Sequence, residues 1–214
     1  MNETDGADRI TSLCGELGLA VDPKQIGELE RYGQWLIAEA IPAGGLGPAE
    51  ASRVFDRHIA DALMYAHGIP LEARSIVDVG SGVGLPGIPV AVVRRDVTMT
   101  ILDRAERRTW LARRAVRVLA LDNISVVTGD AQRDIPELAG HFDAVLFRAS
   151  LPVPQAAVAF QALATEKGVG LVGVSRLPER PEIPEPPPGV DFELTAEESL
   201  VLDSPFWLLR MRAV

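Results

Sequence analysis

Apolar residues along this chain follow two periods, and the change between them falls near residue 73. Before it, Ile26, Leu29, Tyr32/Gly33 and Leu36/Ile37 recur at helical spacing, the mark of an amphipathic helix. The pattern predicts helices over 5–18, 23–41 and 49–67. Asp22-Pro23 opens the second with proline at its first position, and Pro42-Ala43-Gly44-Gly45-Leu46-Gly47-Pro48 breaks the chain before the third. From 73 on, short apolar runs alternate with helical stretches. Strands are expected at 75–80, 98–103, 124–128, 142–147 and 169–174, with helices near 86–94, 104–121, 131–139 and 152–165. Such alternation gives a mostly parallel sheet covered on both faces, its strand ends gathered on one edge by right-handed crossovers. The proline-rich stretch 178–188 must be irregular or polyproline-like. Val190–Leu194 and Phe206–Met211 then read as a terminal hairpin or paired edge strands. The expected division is a helical cap over 1–72 and an α/β core over 73–214.

The first strand of the core runs into an unusual turn. Ser75-Ile76-Val77-Asp78-Val79 leads to Gly80, Gly82, Gly84 and Gly87, four glycines within eight positions. Glycines so placed allow a tight turn and a close approach of backbone to a ligand. The second strand ends in Asp103 and the third is followed by Gly129-Asp130-Ala131. Acids at successive strand ends, on the edge where α/β sheets bind ligands, point to an adenosine cofactor. Gly82-Val83-Gly84-Leu85-Pro86-Gly87 matches the dinucleotide pattern, a weak signal alone. Asp78 precedes the glycines, no Tyr-x-x-x-Lys occurs, and too little chain follows for a second substrate domain. The loop has no Gly-Lys-Ser/Thr, so it is not a phosphate-binding Walker loop. S-adenosylmethionine fits better: it carries an amino group and a sulfonium for Asp78, a ribose diol for Asp103, and an adenine amino group for Asp130. The alternative is a glycine turn with acids serving only as helix caps.

Composition narrows the setting. At 214 residues the chain can bury one substantial core. The amino-terminal stretch has no signal-peptide layout and no apolar run reaches membrane-span length, so a cytoplasmic protein is expected. The single cysteine, Cys14, excludes an internal disulfide and reads as core. No Cys/His cluster supports a metal site. The net charge of −9 is uneven: residues 1–30 and 178–214 each carry −5, while 94–117 holds eight arginines against three acids. A basic sector of this kind can meet phosphates even on an acidic protein.

With the glycines set in Val77-Asp78-Val79-Gly80-Ser81-Gly82-Val83-Gly84-Leu85-Pro86-Gly87-Ile88-Pro89, the chain resembles the bacterial 16S ribosomal RNA guanine-N7 methyltransferases, the RsmG (GidB) family. Arg57-His58-Ile59-Ala60-Asp61, Ile101-Leu102-Asp103 and Phe142-Asp143-Ala144-Val145-Leu146-Phe147-Arg148-Ala149 are similar too. The resemblance implies a class I S-adenosylmethionine methyltransferase: a Rossmann-like, mostly parallel seven-stranded sheet with an N-terminal helical cap. It implies cofactor contacts from Asp78 and the turn residues Gly80, Ser81, Gly82, Gly84 and Leu85. Asp103, Arg104, Asp130, Ala131 and Arg148 complete that set. It implies ribosomal RNA of the 30S subunit as partner.

The acceptor side departs from the family. Glu39-Ala40-Ile41-Pro42-Ala43-Gly44-Gly45-Leu46 stands where relatives have a Trp-Asn…Asn-Leu-Thr segment. Arg-Ala-Phe becomes Arg148-Ala149-Ser150, a Lys-Gly becomes Ser175-Arg176, and a basic strand becomes Phe206-Trp207-Leu208-Leu209-Arg210. Guanine N7 offers an in-plane lone pair, so transfer to it needs placement and no general base. The candidate catalytic residue is Arg148, read either as a contact to a guanine edge or phosphate or as an ion-pair partner of Asp143 or Asp78. The expected acceptor contacts are His58, Asp61, Arg107, Arg108, Arg148 and Ser150. Arg113, Arg114 and Arg117 read as a solvated helix face, and Trp35, Trp110 and Trp207 each as core or cleft wall. Two other functions stay open: methylation of a small molecule by a diverged member, and cofactor binding by an RNA-associated protein without catalysis.

Overall fold

The computed structural model describes residues 3–133, 136–199, 202 and 204–214. The chain opens with α1 (Glu3–Glu16) and α2 (Pro23–Trp35). Asp22 caps α2 as expected of Asp-Pro: its side chain accepts from the Gln25 amide, and Gln25 Oε1 accepts from the Asp22 amide, both at 2.8 Å. Gln25 Nε2 then donates to Val92 O at 2.8 Å, which ties the cap to the core. The stretches expected as one helix each are subdivided. A π turn follows α2 over Leu36–Ala40. The third helix is a 3₁₀ turn (Pro48–Arg53), a π turn (Val54–Ile59) and α3 (Ala60–Gly68).

The core alternates as the apolar runs predict: β1 (Ser75–Val79), α4 (Gly87–Val93), β2 (Thr98–Asp103), α5 (Glu106–Leu119), β3 (Ile124–Thr128), β4 (Phe142–Arg148), α6 (Val153–Leu163) and β5 (Ala164–Ser175). Two strands close it, β6 (Val190–Glu197) and β7 (Phe206–Ala213). The helix expected over 131–139 is not formed in the described part, where Pro136–Leu138 make a single 3₁₀ turn; 134–135 lie outside the described residues. Pro136 disfavours helical backbone before it.

The seven strands form one sheet in the order β3-β2-β1-β4-β5-β7-β6. β1 to β5 are parallel, while β7 lies antiparallel between β5 and β6. The sheet is therefore mixed, and the terminal runs pair as a hairpin whose second strand is the inner one. Side chains alternate between two apolar clusters. Ile76, Met99, Ile101 and Leu146 face the cap with Tyr32, Leu63, Val90 and Leu111. Val77, Leu102, Val145 and Phe147 face α6 with Ala156 and Phe160. The cap thus shares a core with the sheet. At 25 cal/mol per Å², this burial is the main term holding the two together.

Tyr65 of α3 stitches cap to sheet. Its wholly buried hydroxyl donates to Phe147 O at 2.6 Å and accepts from the Gly173 amide at 2.7 Å. Those groups sit at the ends of β4 and β5, where the pair separates. Tyr65→Phe leaves both without a partner and is expected to cost about 1–3 kcal/mol in urea unfolding.

Candidate active site

The carboxyl ends of β1, β2 and β4 meet at one edge, and the turn after β1 crosses them. Gly80 and Ser81 amides donate to Leu102 O at 2.7 and 3.2 Å, fastening the turn to β2. The turn closes on itself through Gly84 and Leu85 amides, each 3.0 Å from Ser81 O. From the cap, Tyr32 donates to Val83 O at 3.0 Å.

Gly80 sits at φ +69°, and a Cβ there would lie 2.4 Å from Cβ of Ser150. Gly80→Ala therefore adds left-handed strain to a clash and is expected to lose about 2–3 kcal/mol of stability by chemical denaturation. Gly82, at φ +61°, faces open space instead.

Asp103 ends β2 nearly buried. Its Oδ2 accepts from the Gly82 amide at 2.9 Å and its Oδ1 from the Ala105 amide at 2.8 Å. Two backbone donors leave about half of the carboxylate's acceptor positions available. Asp130, after β3, is held by the Gln132 amide at 3.1 Å.

Asp78 is wholly buried behind the turn. Its Oδ2 accepts from Ser81 Oγ at 2.5 Å and from the Gly87 amide at 2.7 Å, while its Oδ1 has no partner. Burial pushes its pKa up to about 7, against the pull of those two donors and of the Arg148 charge.

A cavity of about 330 Å³ opens at this edge. It brings together Gly80, Asp103, Arg104, Arg108, Asp130, Ala131 and Ser150 from the sequence-derived set. Ser150 Oγ is buried with no partner. Ala149 before it takes φ +51°, uncommon for a residue bearing a Cβ.

The remaining candidates lie elsewhere. Asp78, Ser81, Gly82, Gly84 and Leu85 shape the turn beneath the cavity, with a cis Leu85–Pro86 peptide. Arg107 donates to Ala43 O and so fastens the 41–46 loop of the cap. Arg148 meets His58 Nδ1 and reaches Asp61 Oδ2 at 3.9 Å. Its partner is thus Asp61, whereas Asp143 sits at the other end of β4, accepting from the amides of Arg74 and Ser75 at 2.9 and 3.0 Å.

Two residues outside the sequence-derived set complete this cluster. Glu50 accepts from His58 Nε2 at 2.9 Å, and Arg176 meets Asp61 Oδ1 at 3.1 Å. Burial, with Arg148 close by, lowers the His58 pKa to about 4. The neutral ring therefore carries its proton on Nε2, toward Glu50, and offers Nδ1 to the guanidinium. Burial raises the Asp61 pKa against three arginines. The chain Glu50–His58–Arg148–Asp61–Arg176 locks the cap to the ends of β4 and β5. Its members lie up to 126 residues apart in sequence, so no local signal marks them.

The basic sector also divides. Arg94 is buried against Asp96 and three carbonyls, and Arg95 pairs with Glu28. Trp110, expected in core or cleft, is 53% exposed, while Cys14 is buried. Among the described residues, no three His, Cys, Asp or Glu side chains gather to hold a metal, and no helix is long and apolar enough to cross a membrane.

The family described as rRNA small subunit methyltransferase G matches residues 25–173. The ribosomal RNA small subunit methyltransferase G of Streptomyces coelicolor is 38% identical over 108 residues, 50% of this chain and 45% of that protein. Its counterpart in Acidothermus cellulolyticus is 37% identical over 125 residues, 58% and 54% of the two chains. The chain spans about half the length of the curated relatives it matches. Among solved structures, a SAM-dependent methyltransferase from Aquifex aeolicus superposes with TM-score 0.56 at 16% identity, covering 78% of this chain and 98% of that one. The mitomycin 7-O-methyltransferase MmcR gives 0.59 at 16%, covering 89% and 70%. These two likenesses show the fold.

Proposed function

The chain belongs to the rRNA small subunit methyltransferase G family, and from that membership we propose that it binds S-adenosylmethionine in the cavity beside β2 and methylates 16S ribosomal RNA at guanine N7. The carrying observation is Asp103: a nearly buried carboxylate, anchored by two backbone amides, that lines the cavity with acceptor positions to spare. A ribose diol needs that arrangement. A volume of about 330 Å³ falls within the range of roughly 300–1,000 Å³ usual for cofactor-sized sites. The unpartnered Ser150 Oγ and Asp78 Oδ1 add two polar atoms at or beneath the same site that a polar ligand would satisfy. When bound, the cofactor supplies an electrophilic methyl group on a cationic sulfonium.

The protein's part is placement. Asp103 would hold the ribose, Asp130 the adenine, and the Gly80–Gly84 turn, with Asp78 beneath it, the amino-acid end. Arg148 positions the β4–α6 turn that bears Ser150, since His58 and Asp61 hold its guanidinium in place. With the cofactor held so, the neutral lone pair of guanine N7 would take the methyl group in line as the S–CH3 bond breaks, S-adenosylhomocysteine would leave as a neutral thioether, the positive charge would pass to the base, and no residue would have to take a proton. Arg104 and Arg108, at the mouth, are set to meet substrate phosphates.

Calorimetry with S-adenosylhomocysteine tests the cofactor site. One equivalent bound per chain is expected; no heat and no saturable binding would sink every methyltransferase reading.

A further inference from the structure

We infer that the exposed face of α5, centred on Trp110, is a docking track for unpaired RNA that leads acceptor nucleotides to the cavity mouth. The inference rests on RNA being the acceptor, and it assigns the surface that receives it.

Trp110 is 53% exposed, and among the described residues it is the one aromatic side chain left open to this degree. The apolar face of α5 is already committed, with Leu111, Ala112, Ala115 and Leu119 buried against the sheet and cap. Trp110 points away from that face, so packing does not explain it. Its helical neighbours three or four positions away are Glu106, Arg107, Arg113 and Arg114, with Arg117 a further turn on. Arg104 and Arg108 at the start of this stretch line the cavity.

Three of these arginines are positioned by contacts of their own. Arg113 donates to Val126 O and Thr128 Oγ1 of β3, at 3.1 and 3.2 Å. Arg114 pairs with Glu39 at 2.5 Å, and Arg107 meets the cap. Arg117 is exposed. Six arginines thus share the stretch from 104 to 117 with Glu106, and although Arg108 and Arg114 face Asp103 and Glu39, the sector keeps a cationic excess on a protein of net charge −9. Such a local reversal of sign suits a polyanion.

An aromatic face set among cations is the chemistry that binds single strands: bases stack on the ring and phosphates meet the guanidiniums. At about 1.5 Å per residue, α5 runs roughly 20 Å, enough for about six stacked nucleotides. A rigid duplex keeps its base faces covered and offers Trp110 nothing to stack on.

The test measures anisotropy of a labelled single-stranded oligoribonucleotide of about twelve nucleotides, and of its duplex, on the full chain. Expected are preference for the single strand and about 10- to 100-fold weaker binding by Trp110→Ala, with Trp110→Phe restoring most of it. Arg117→Gln should lower the slope of log affinity against log salt by about 0.7. S-adenosylhomocysteine binding by Trp110→Ala should equal wild type, which establishes that the variant folds. Unchanged RNA affinity in Trp110→Ala overturns the inference. So does equal binding of duplex, or loss of self-association in that variant without loss of RNA. Wild type that binds S-adenosylhomocysteine but no RNA overturns this surface alone. RNA binding that depends on Trp110 in a chain without cofactor affinity supports the surface and defeats the methyltransferase reading.

Discussion

Replacing Asp103 with alanine is expected to weaken S-adenosylhomocysteine binding by several-hundred-fold in a calorimetric titration. The carboxylate does two jobs. It accepts two charge-assisted bonds from the ribose hydroxyls, each worth about 1.5–3 kcal/mol. It also accepts from the Gly82 and Ala105 amides at 2.9 and 2.8 Å, holding the glycine turn and the entry to α5 in place. Losing both effects gives a total on the order of 4 kcal/mol. Asp103→Asn is the milder change. Its single oxygen keeps only one of the Gly82 and Ala105 amides partnered and its NH2 faces the other, so turn and ribose contacts are each weakened in part, and an intermediate affinity is expected. An alanine variant that binds as tightly as wild type would remove the ribose from this site.

The second large effect concerns pH. Asp78 has an ordinary value of 3.8 and is pushed to about 7 by complete burial. Its folded state therefore holds a proton more tightly than the unfolded chain does. Stability from this group is fully present below about pH 4 and is lost as pH rises through 7. Asp78→Asn keeps an acceptor for Ser81 and Gly87 without the charge. In unliganded protein the two should match near pH 4. The variant should then gain on wild type up to a difference on the order of 4 kcal/mol by pH 8. Urea unfolding at several pH values reads this directly; curves that stay parallel would mean the carboxyl is not held neutral. The same substitution should lower cofactor affinity, because the buried, unpartnered carboxyl can then no longer ionise toward a bound cation. A site tuned for a cation is expected to cost stability when empty.

The strand ends and the glycine turn at the cavity edge are legible because their signals are local. β1, the glycine turn and Asp103 are read within thirty residues, and strand ends in a parallel sheet gather on one edge whatever the loops do. Short apolar runs likewise mark β1 to β5; β1, β2 and β4 are buried on both faces, while β3, at the sheet edge, is only half-buried. The cap was less readable. Its apolar spacing gives helix but does not distinguish α from the π and 3₁₀ turns at Leu36–Ala40, Pro48–Arg53 and Val54–Ile59. In the described part of 131–139, helical composition yields to the single 3₁₀ turn at Pro136–Leu138. Tyr32 and Tyr65 look in sequence like two more apolar positions; their hydroxyls matter only because the fold brings Val83 O, Phe147 O and Gly173 N to them. Arg148 was singled out correctly as a strand-end cation, yet its partners come from 87 and 90 residues away on the cap. Trp110 was misjudged because an aromatic between Thr109 and Leu111 fits an apolar face equally well until the helix is rotated into place.

Methyl transfer to ribosomal RNA is measured with tritiated S-adenosylmethionine. The protein would be incubated with 30S subunits, and separately with free 16S RNA, from cells lacking the guanine-N7 modification. Label is expected in 16S RNA, recovered as N7-methylguanine, and absent with Asp103→Ala. Normal S-adenosylhomocysteine binding with no label in either substrate would contradict it and point instead to a small-molecule acceptor.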